Sequence, residues 1–160
     1  MSESHHSHSR GGWRAPAHRP PREHAEIARN GTQEERWQLA GQQDIGGETV
    51  RLLIEAGPRD VRESLALNYA LTSDQLERLI EVDPSIESLV AANRNARPEV
   101  KARANLTVHT HDSIDQYLND VGATERERSA MLAMYSGALK GDAATAEMTL
   151  GTAWNSVQNR

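Results

Sequence analysis

Apolar residues recur along this chain in blocks 25 or 26 residues apart, and a second apolar stretch follows the first two blocks. The block Leu-Ala-Gly-Gln at residues 39–42 precedes the stretch at 50–56, and Leu-Ala-Leu-Asn at 65–68 precedes the stretch at 76–82. A third block, Val-Ala-Ala-Asn, occupies residues 90–93. A degenerate repeat of this length is typical of paired helices that stack into a solenoid. We therefore expect consecutive helical hairpins in this part of the chain.

Start and stop signals within the repeats predict where each helix begins and ends. Thr32 with Glu35 fits the capping box, in which a hydroxyl accepts the N3 amide and the N3 side chain returns to the cap. Thr72 with Gln75 fits it as well. Gly, Asn and Pro after the apolar stretches predict the stops, since Gly and Asn tolerate a left-handed residue and Pro cannot continue a helix. The predicted helices lie near residues 33–41, 48–56, 59–67, 74–82, 85–92 and 98–106.

The third copy is degenerate in its second helix, where Lys101 and Ala104 stand in place of Leu76 and Leu79 of the second copy. End repeats of a solenoid need a polar outer surface. We therefore interpret this copy as the terminal repeat.

A different pattern begins at His109 and predicts a three-helix module over residues 109–160. Its first helix carries apolar residues spaced i, i+3, i+4 and i+7, and we expect Asp112 to cap it and Gly122 to end it. The further signals are a capping box at Thr124 with Glu127, and a break followed by a new cap at Gly141 with Asp142.

Residues 1–25 are rich in Ser, His, Pro and Arg and show neither a helical nor an alternating period. Such a segment buries too little apolar surface to offset the entropy of ordering, so we expect a disordered basic arm. The rest of the chain divides into a helical-repeat solenoid over residues 26–108 and the module over 109–160. Since the chain has no Phe and only three Trp and three Tyr, small and aliphatic residues must fill the core. That composition favours closely packed helices over a sheet, and the predicted fold class is all-α.

Composition and charge limit the kinds of site, the cellular compartment and the kinds of partner that we expect for the protein. The chain has no Cys, which excludes disulfides and thiolate metal sites. No apolar run approaches the roughly 18 residues that span a bilayer, and no apolar signal-peptide core is present, so we expect a cytoplasmic protein. Residues 1–25 carry four Arg against two Glu, whereas residues 26–107 carry ten basic against fourteen acidic residues. An acidic body disfavours broad affinity for nucleic acid, which requires a positive surface.

The second copy carries a longer motif of Val-Arg, three variable residues, Ala, one residue, Asn, a short turn, an acidic residue and a Leu-x-x-Leu helix, and the third copy matches part of it. The matching residues are Val61, Arg62, Ala66, Asn68, Asp74, Leu76 and Leu79, and then Ala91, Asn93, Pro98 and Glu99.

Over roughly residues 32–106 this motif resembles the variant leucine-rich repeat family, which is similar to HEAT-like repeats. The resemblance implies pairs of short helices that wind into a right-handed superhelix without strands, and it carries over no catalytic residue. The chain departs from the family in its turns, where Pro survives only as Pro98 and Gly46-Gly47 replaces it in the first copy. It also lacks the cysteines that an iron–sulfur module beside some such repeats would need.

Four basic residues concentrate within ten positions of the last repeat and are opposed there only by Glu99. Arginine presents a fork that suits phosphate or an acidic partner segment. The alternative interpretation is a solvated helix face that closes the solenoid. The cluster consists of Arg94, Arg97, Lys101 and Arg103.

The other candidate sites in the sequence contribute less to the predicted function. Asn68 and Asn93, with Gln42 at the equivalent position, are expected to form a polar ladder that satisfies turn backbone groups. The histidines at residues 5–8 and at 109–111 have spacings compatible with Zn²⁺ or Ni²⁺, but closing such a site on an arm costs much entropy, so we expect no metal. Neither a phosphate-cradling loop nor a nucleophile elbow occurs, and we expect no cofactor and no enzymatic activity.

The sequence thus predicts a non-enzymatic protein-interaction adaptor that presents a helical-repeat surface. The alternative is a nucleic-acid-binding regulator in which the Arg/His arm and the basic last repeat bind the phosphates of the nucleic acid. The partner and the oligomeric state are not specified by these patterns.

Overall fold

The computed structural model describes residues 21–160, and that part of the chain forms ten α-helices and no strand. Two short 3₁₀ turns, Pro84–Ile86 and Leu106–Val108, interrupt the helical series. The all-α prediction is therefore confirmed for these residues. The helices are Pro21–Asn30 (α1), Gln33–Ala40 (α2), Gly47–Ala56 (α3), Arg59–Ala66 (α4), Ser73–Val82 (α5), Glu87–Ala91 (α6), Pro98–Ala102 (α7), His111–Asp120 (α8), Glu125–Leu139 (α9) and Leu150–Gln158 (α10).

The three predicted capping boxes are present and begin α2, α5 and α9. In α2, Thr32 Oγ1 accepts the Glu35 amide at 3.2 Å, and the Glu35 carboxylate accepts the Thr32 amide at 2.9 Å. Gly122 and Gly141 follow α8 and α9 with φ of 69° and 82°. Left-handed backbone of this kind favours glycine, which explains why these helices stop there.

Helix α1 corrects the predicted extent of the arm, because it begins at Pro21 and lies partly within residues 1–25. Ile27 and Ala28 are buried, and α1 packs against α2 and α3. The sequence pattern missed this helix because only a narrow face of it is apolar. The predicted disorder of residues 1–20 lies outside the described residues.

Three further helix ends differ from the prediction. Helix α7 stops at Ala102 rather than near residue 106, since the following residues pair with the C-terminal module. Thr110 rather than Asp112 caps α8, with its Oγ1 accepting the Ser113 amide at 3.1 Å. The last helix begins at Leu150 rather than beside Asp142, where the chain forms turns instead.

The helices of residues 21–108 pack in two layers. Helix α1 packs on α3 and α3 on α5, while α2 packs on α4 and α4 on α6. Each of the helices α1 to α4 therefore contacts the helix two places further along the chain, as stacked hairpins require. The arrangement is consistent with the predicted solenoid, and its superhelical hand stays a prediction.

Asn68 and Asn93 form the polar ladder that the sequence predicts. Asn68 Nδ2 donates to the carbonyls of Ala40 (2.8 Å) and Gln42 (2.7 Å), and Asn93 Nδ2 donates to those of Ala66 (2.8 Å) and Asn68 (3.0 Å). Each amide thus reaches back one repeat and satisfies carbonyls near the end of a helix. Gln42 takes part in the ladder through its main-chain carbonyl rather than through its side-chain amide, whose buried Oε1 has no hydrogen-bond partner in the described part of the chain.

The C-terminal module has its own hydrophobic cluster but packs directly on the last repeat. The Leu106 amide donates to the Met148 carbonyl, and the Leu150 amide donates to the Ala104 carbonyl, both at 2.9 Å. Helix α10 packs against α7, and α8 packs against α7 as well. The module therefore closes the end of the helical repeats.

His109 joins the two clusters through a buried set of hydrogen bonds. Its Nε2 lies 3.0 Å from the Lys101 carbonyl oxygen, and its Nδ1 lies 3.0 Å from Ser113 Oγ. Since a carbonyl only accepts, Nε2 carries a proton here. Tyr135 Oη also donates to the His109 carbonyl, at 2.7 Å. Burial lowers the pKa of His109 below its ordinary value, and the neutral ring is the favoured form.

This burial predicts a loss of stability in acid. The unfolded chain takes up a proton near the ordinary His pKa of 6.5, whereas the folded protein does so only at lower pH. The stabilising contribution is therefore complete above pH 6.5 and is lost as the pH falls through the folded-state pKa. The predicted loss is checked by urea unfolding of the wild type and of His109→Gln at pH values of roughly 7.5 and 5.5. His109→Gln is informative because Gln does not titrate. An equal acid loss in both proteins would assign the effect to other groups.

Candidate partner-binding surface

The structure does not bring the four predicted basic residues together on one exposed surface. Lys101 is fully buried, and its Nζ donates to the Arg94 carbonyl at 2.6 Å. The expectation that Lys101 belongs to a partner-binding surface is therefore wrong. Its ammonium lies beneath the turn that carries Arg94. The side chain is buried because the C-terminal module packs on α7. Burial lowers the pKa of Lys101 to about 8, with the charge of Asp120 partly opposing this shift.

Two of the other three basic residues form ion pairs within the repeats. Arg97 pairs with Asp74, and also with Glu77 at 3.5 Å. Arg103 Nε donates to the Glu87 carboxylate at 2.8 Å. Their positive charges are thus largely offset by carboxylates of neighbouring helices.

Arg94 is exposed and forms no ion pair with any residue of 21–160. It lines an open groove of about 560 Å³ between the turn at residues 70–73, the turn before α7, and α8. Arg97, Gln116 and Asp120 line the same groove. Because Asp120 brings a carboxylate to its wall, the groove is not a uniformly positive phosphate site.

Exposed apolar side chains define a different surface on the repeats. Trp37, Leu67 and Tyr69 are 50%, 57% and 44% exposed, and Leu139 at 58% is the only other large apolar side chain in that state among the described residues. Leu139 lies at the end of α9, in the C-terminal module. Trp37 lies on α2, whereas Leu67 and Tyr69 follow directly after α4.

Two adjoining open grooves, of about 370 and 330 Å³, lie around the Trp37 indole. Both include Asp60, and the second also includes Leu67 and Gln43. Tyr69 occupies the position that Gln43 holds one repeat earlier, at an offset of 26 residues. We call the set of Trp37, Leu67 and Tyr69 the Trp37 surface.

Contacts between α2 and α4 hold the Trp37 surface in place. Gln33 Nε2 donates to Asp60 Oδ2 at 2.7 Å, and Ser64 Oγ donates to the Trp37 carbonyl at 3.4 Å. Leu39, further along α2, is buried in the repeat core. The exposed indole therefore stands on a helix whose position is fixed by packing.

The sequence pattern did not single out Trp37, although a signal for its exposure exists. The polar run Glu34-Glu35-Arg36 is typical of a solvated helix face, and Glu34 lies three residues before Trp37. Residues three apart on a helix share a face, so the indole belongs to the same solvated side. The aromatic side chain is unlike the polar side chains beside it, and only the packed structure shows that no other helix of residues 21–160 covers it.

Metal ligation finds no support in the residues that the structure describes. No group of three His, Asp or Glu side chains within 21–160 is arranged to hold a metal ion. His109 is already hydrogen-bonded on both ring nitrogens, and His111 contacts the Tyr135 ring edge-on. The histidines at residues 5–8 lie outside the described range.

The fold and surface define an all-helical protein with an exposed aromatic surface on its paired helices. Comparison with protein-family models, with curated proteins and with solved structures gives no match to this chain. Among the helices of residues 21–160, none has the length and apolar character that crossing a membrane requires.

Proposed function

We propose that this protein is a non-enzymatic interaction adaptor of the variant leucine-rich repeat type, and that the Trp37 surface binds its protein partner. One observation carries the proposal: Trp37 and Leu67, from consecutive repeats, are exposed and line the same groove, and Tyr69 is exposed two residues after Leu67. Trp and Tyr are the residues most enriched among those that dominate binding energy at interfaces. A rigid repeat surface also lowers the entropic cost of binding, because its side chains are already positioned.

The basic last repeat gives the nucleic-acid alternative less support. Lys101 is buried, and Arg97 and Arg103 are already ion-paired. Non-specific nucleic-acid binding depends on several free cations that replace counterions on the phosphates. Arg94 alone does not provide such a surface.

We expect the double variant Trp37→Ala with Leu67→Ala to capture about tenfold less, or still less, of a specific partner from a lysate of the native host than the wild type does. Both side chains are largely exposed, so the change removes contact area without opening a cavity in the core. The matched control is Leu139→Ala, which removes an equally exposed leucine from the C-terminal module. Quantitative mass spectrometry of the captured proteins, with circular dichroism to verify folding, is the measurement.

Two outcomes would overturn the proposal. One is a partner whose capture is unaffected by the double variant, or is reduced equally by Leu139→Ala. The other is steeply salt-dependent binding of DNA or RNA that the double variant leaves intact, since this would assign the function to phosphate recognition.

A further inference from the structure

Two carboxylates beside the exposed Trp37 indole form no ion pair within residues 21–160. Asp60 accepts a hydrogen bond from the Gln33 side chain at 2.7 Å, and Glu34 accepts one from the Gln38 side chain at 3.3 Å. Neither carboxylate forms an ion pair with a residue of 21–160. Both line the groove whose remaining walls are Gln33 and the indole.

Two other carboxylates, on α3 and α4, are already neutralised by ion pairs. Glu55 pairs with Arg78 at 2.8 Å, and Glu63, which lines the neighbouring groove, pairs with Arg59 at 2.8 Å. Such exposed pairs contribute little to stability, but they cancel charge locally. The groove at Trp37 therefore keeps a net negative charge that these neighbouring sites have lost.

An aromatic face bordered by free carboxylates is complementary to a cation on a flexible side chain. A guanidinium stacks on an indole face through cation–π attraction, which is strongest for Trp. The planar guanidinium can at the same time donate two parallel hydrogen bonds to a carboxylate, which a compact ammonium cannot do. Arginine therefore fits both features of this groove better than lysine.

We propose that the Trp37 groove recognises an arginine of the partner, held between the indole face and the carboxylates of Asp60 and Glu34. This inference rests on the proposed adaptor function and specifies the chemistry of the partner segment. Leu67, in the adjoining groove, provides an apolar contact for a residue beside that arginine. The occupant is thus a basic peptide segment of another protein.

The test uses the full-length chain and a fluorescein-labelled (Arg-Gly)₄ peptide, with (Lys-Gly)₄ and (Glu-Gly)₄ as charge-matched and charge-reversed probes. We expect saturable binding of the Arg peptide, about fivefold or more weaker binding of the Lys peptide, and none of the Glu peptide. Anisotropy measures affinity, and the Trp37 indole N–H resonance, identified by its loss in Trp37→Ala, reports the site. A variant with Arg10, Arg14 and Arg19 changed to Gln removes competing arginines of the chain itself.

Single substitutions then separate the groove from general charge attraction. Trp37→Ala and Asp60→Asn should each weaken Arg-peptide binding by about fivefold or more. Glu147→Gln, which removes an exposed carboxylate from the C-terminal module, should leave it within about twofold. Equal weakening by Glu147→Gln, equal affinity for the Lys peptide, or no binding up to about 2 mM overturns the arginine assignment.

The two proposals fail in different ways. If the Arg peptide does not bind but a host partner is lost in the Trp37 and Leu67 variant, the adaptor function stands and the arginine chemistry is wrong. If the Arg peptide binds at Trp37 but no host partner depends on this surface, the adaptor function is wrong and the recognition site stands.

Discussion

Replacing Asn93 with Ala is expected to lower the free energy of unfolding by about 3 kcal/mol. The side chain is buried, and its loss leaves the Ala66 and Asn68 carbonyls and the Asn95 amide without their partner. Each buried polar group that loses its hydrogen bond costs roughly 1 to 3 kcal/mol. Water cannot replace these bonds without opening the contact between adjacent repeats.

Urea denaturation of Asn93→Ala and of a control, Asn155→Ala, checks this result. Asn155 is exposed on α10, so its replacement should change stability by less than about 0.5 kcal/mol. Asn93→Asp sharpens the comparison, because a carboxylate keeps the size of the side chain but directs negative charge at the two carbonyls. We expect it to be at least as destabilising as Ala at neutral pH. A loss below about 1 kcal/mol in both variants would show that the ladder contributes little to stability.

Lys101→Met is expected to raise the free energy of unfolding at pH 7 by about 2 kcal/mol. Burial lowers the Lys101 pKa from 10.5 to about 8, so at neutral pH the folded protein carries an ammonium in an unfavourable environment. At about 1.4 kcal/mol for each pKa unit, that cost is about 3 kcal/mol. Losing the hydrogen bond to the Arg94 carbonyl offsets roughly 1 kcal/mol of the gain.

The same shift predicts how wild-type stability depends on pH in alkali. Between the folded pKa of about 8 and the ordinary value of 10.5, the unfolded chain holds a proton that the folded protein has released. The Lys101 contribution to stability therefore rises with pH across this window. Tyr117 and Tyr135 act in the opposite direction, because burial raises the pKa of each phenol and stability is lost above the ordinary value of 10.0.

The difference between wild type and Lys101→Met isolates the lysine, since both proteins carry the same tyrosines. Urea unfolding at pH values of roughly 7, 8.5 and 9.5 should show the advantage of the variant shrinking as the pH rises. A difference that stays constant across this range would mean that Lys101 titrates normally. Lys101→Arg serves as a control, because its guanidinium stays charged and should remove the rise in stability with pH.

Local signals explain why most of the helix series was predictable. A capping box involves residues three apart, and a left-handed glycine acts on the turn that contains it. Thr32, Thr72 and Thr124 therefore marked helix starts correctly. The ladder was predictable for a related reason, since Asn68 and Asn93 hold equivalent places in successive repeats.

The candidate site was much less predictable, because exposure depends on what packs over a residue. The sequence grouped Lys101 with Arg94 by their closeness in the chain, but one is buried and the other exposed. The sequence pattern does not single out Trp37, although its side chain is half exposed beside two grooves. The burial of Lys101 does not follow from residues within one helical turn, and for Trp37 the neighbouring residues indicate a solvated side but not what packs over it.

By itself, the sequence determined the all-helical class, most helix positions and the asparagine ladder, because capping, turn formation and apolar periodicity act between residues close in the chain. The tertiary structure alone decided that Lys101 is enclosed, that Arg97 and Arg103 are paired and that Trp37 remains open. Lys101 is enclosed because α8 and α10 pack on α7, and the two arginines are paired because α5 and α6 bring carboxylates to them. Trp37 stays open because no helix of residues 21–160 covers its side of α2. Desolvation is a property of the whole packed assembly, which is why it could not be read from local spacing.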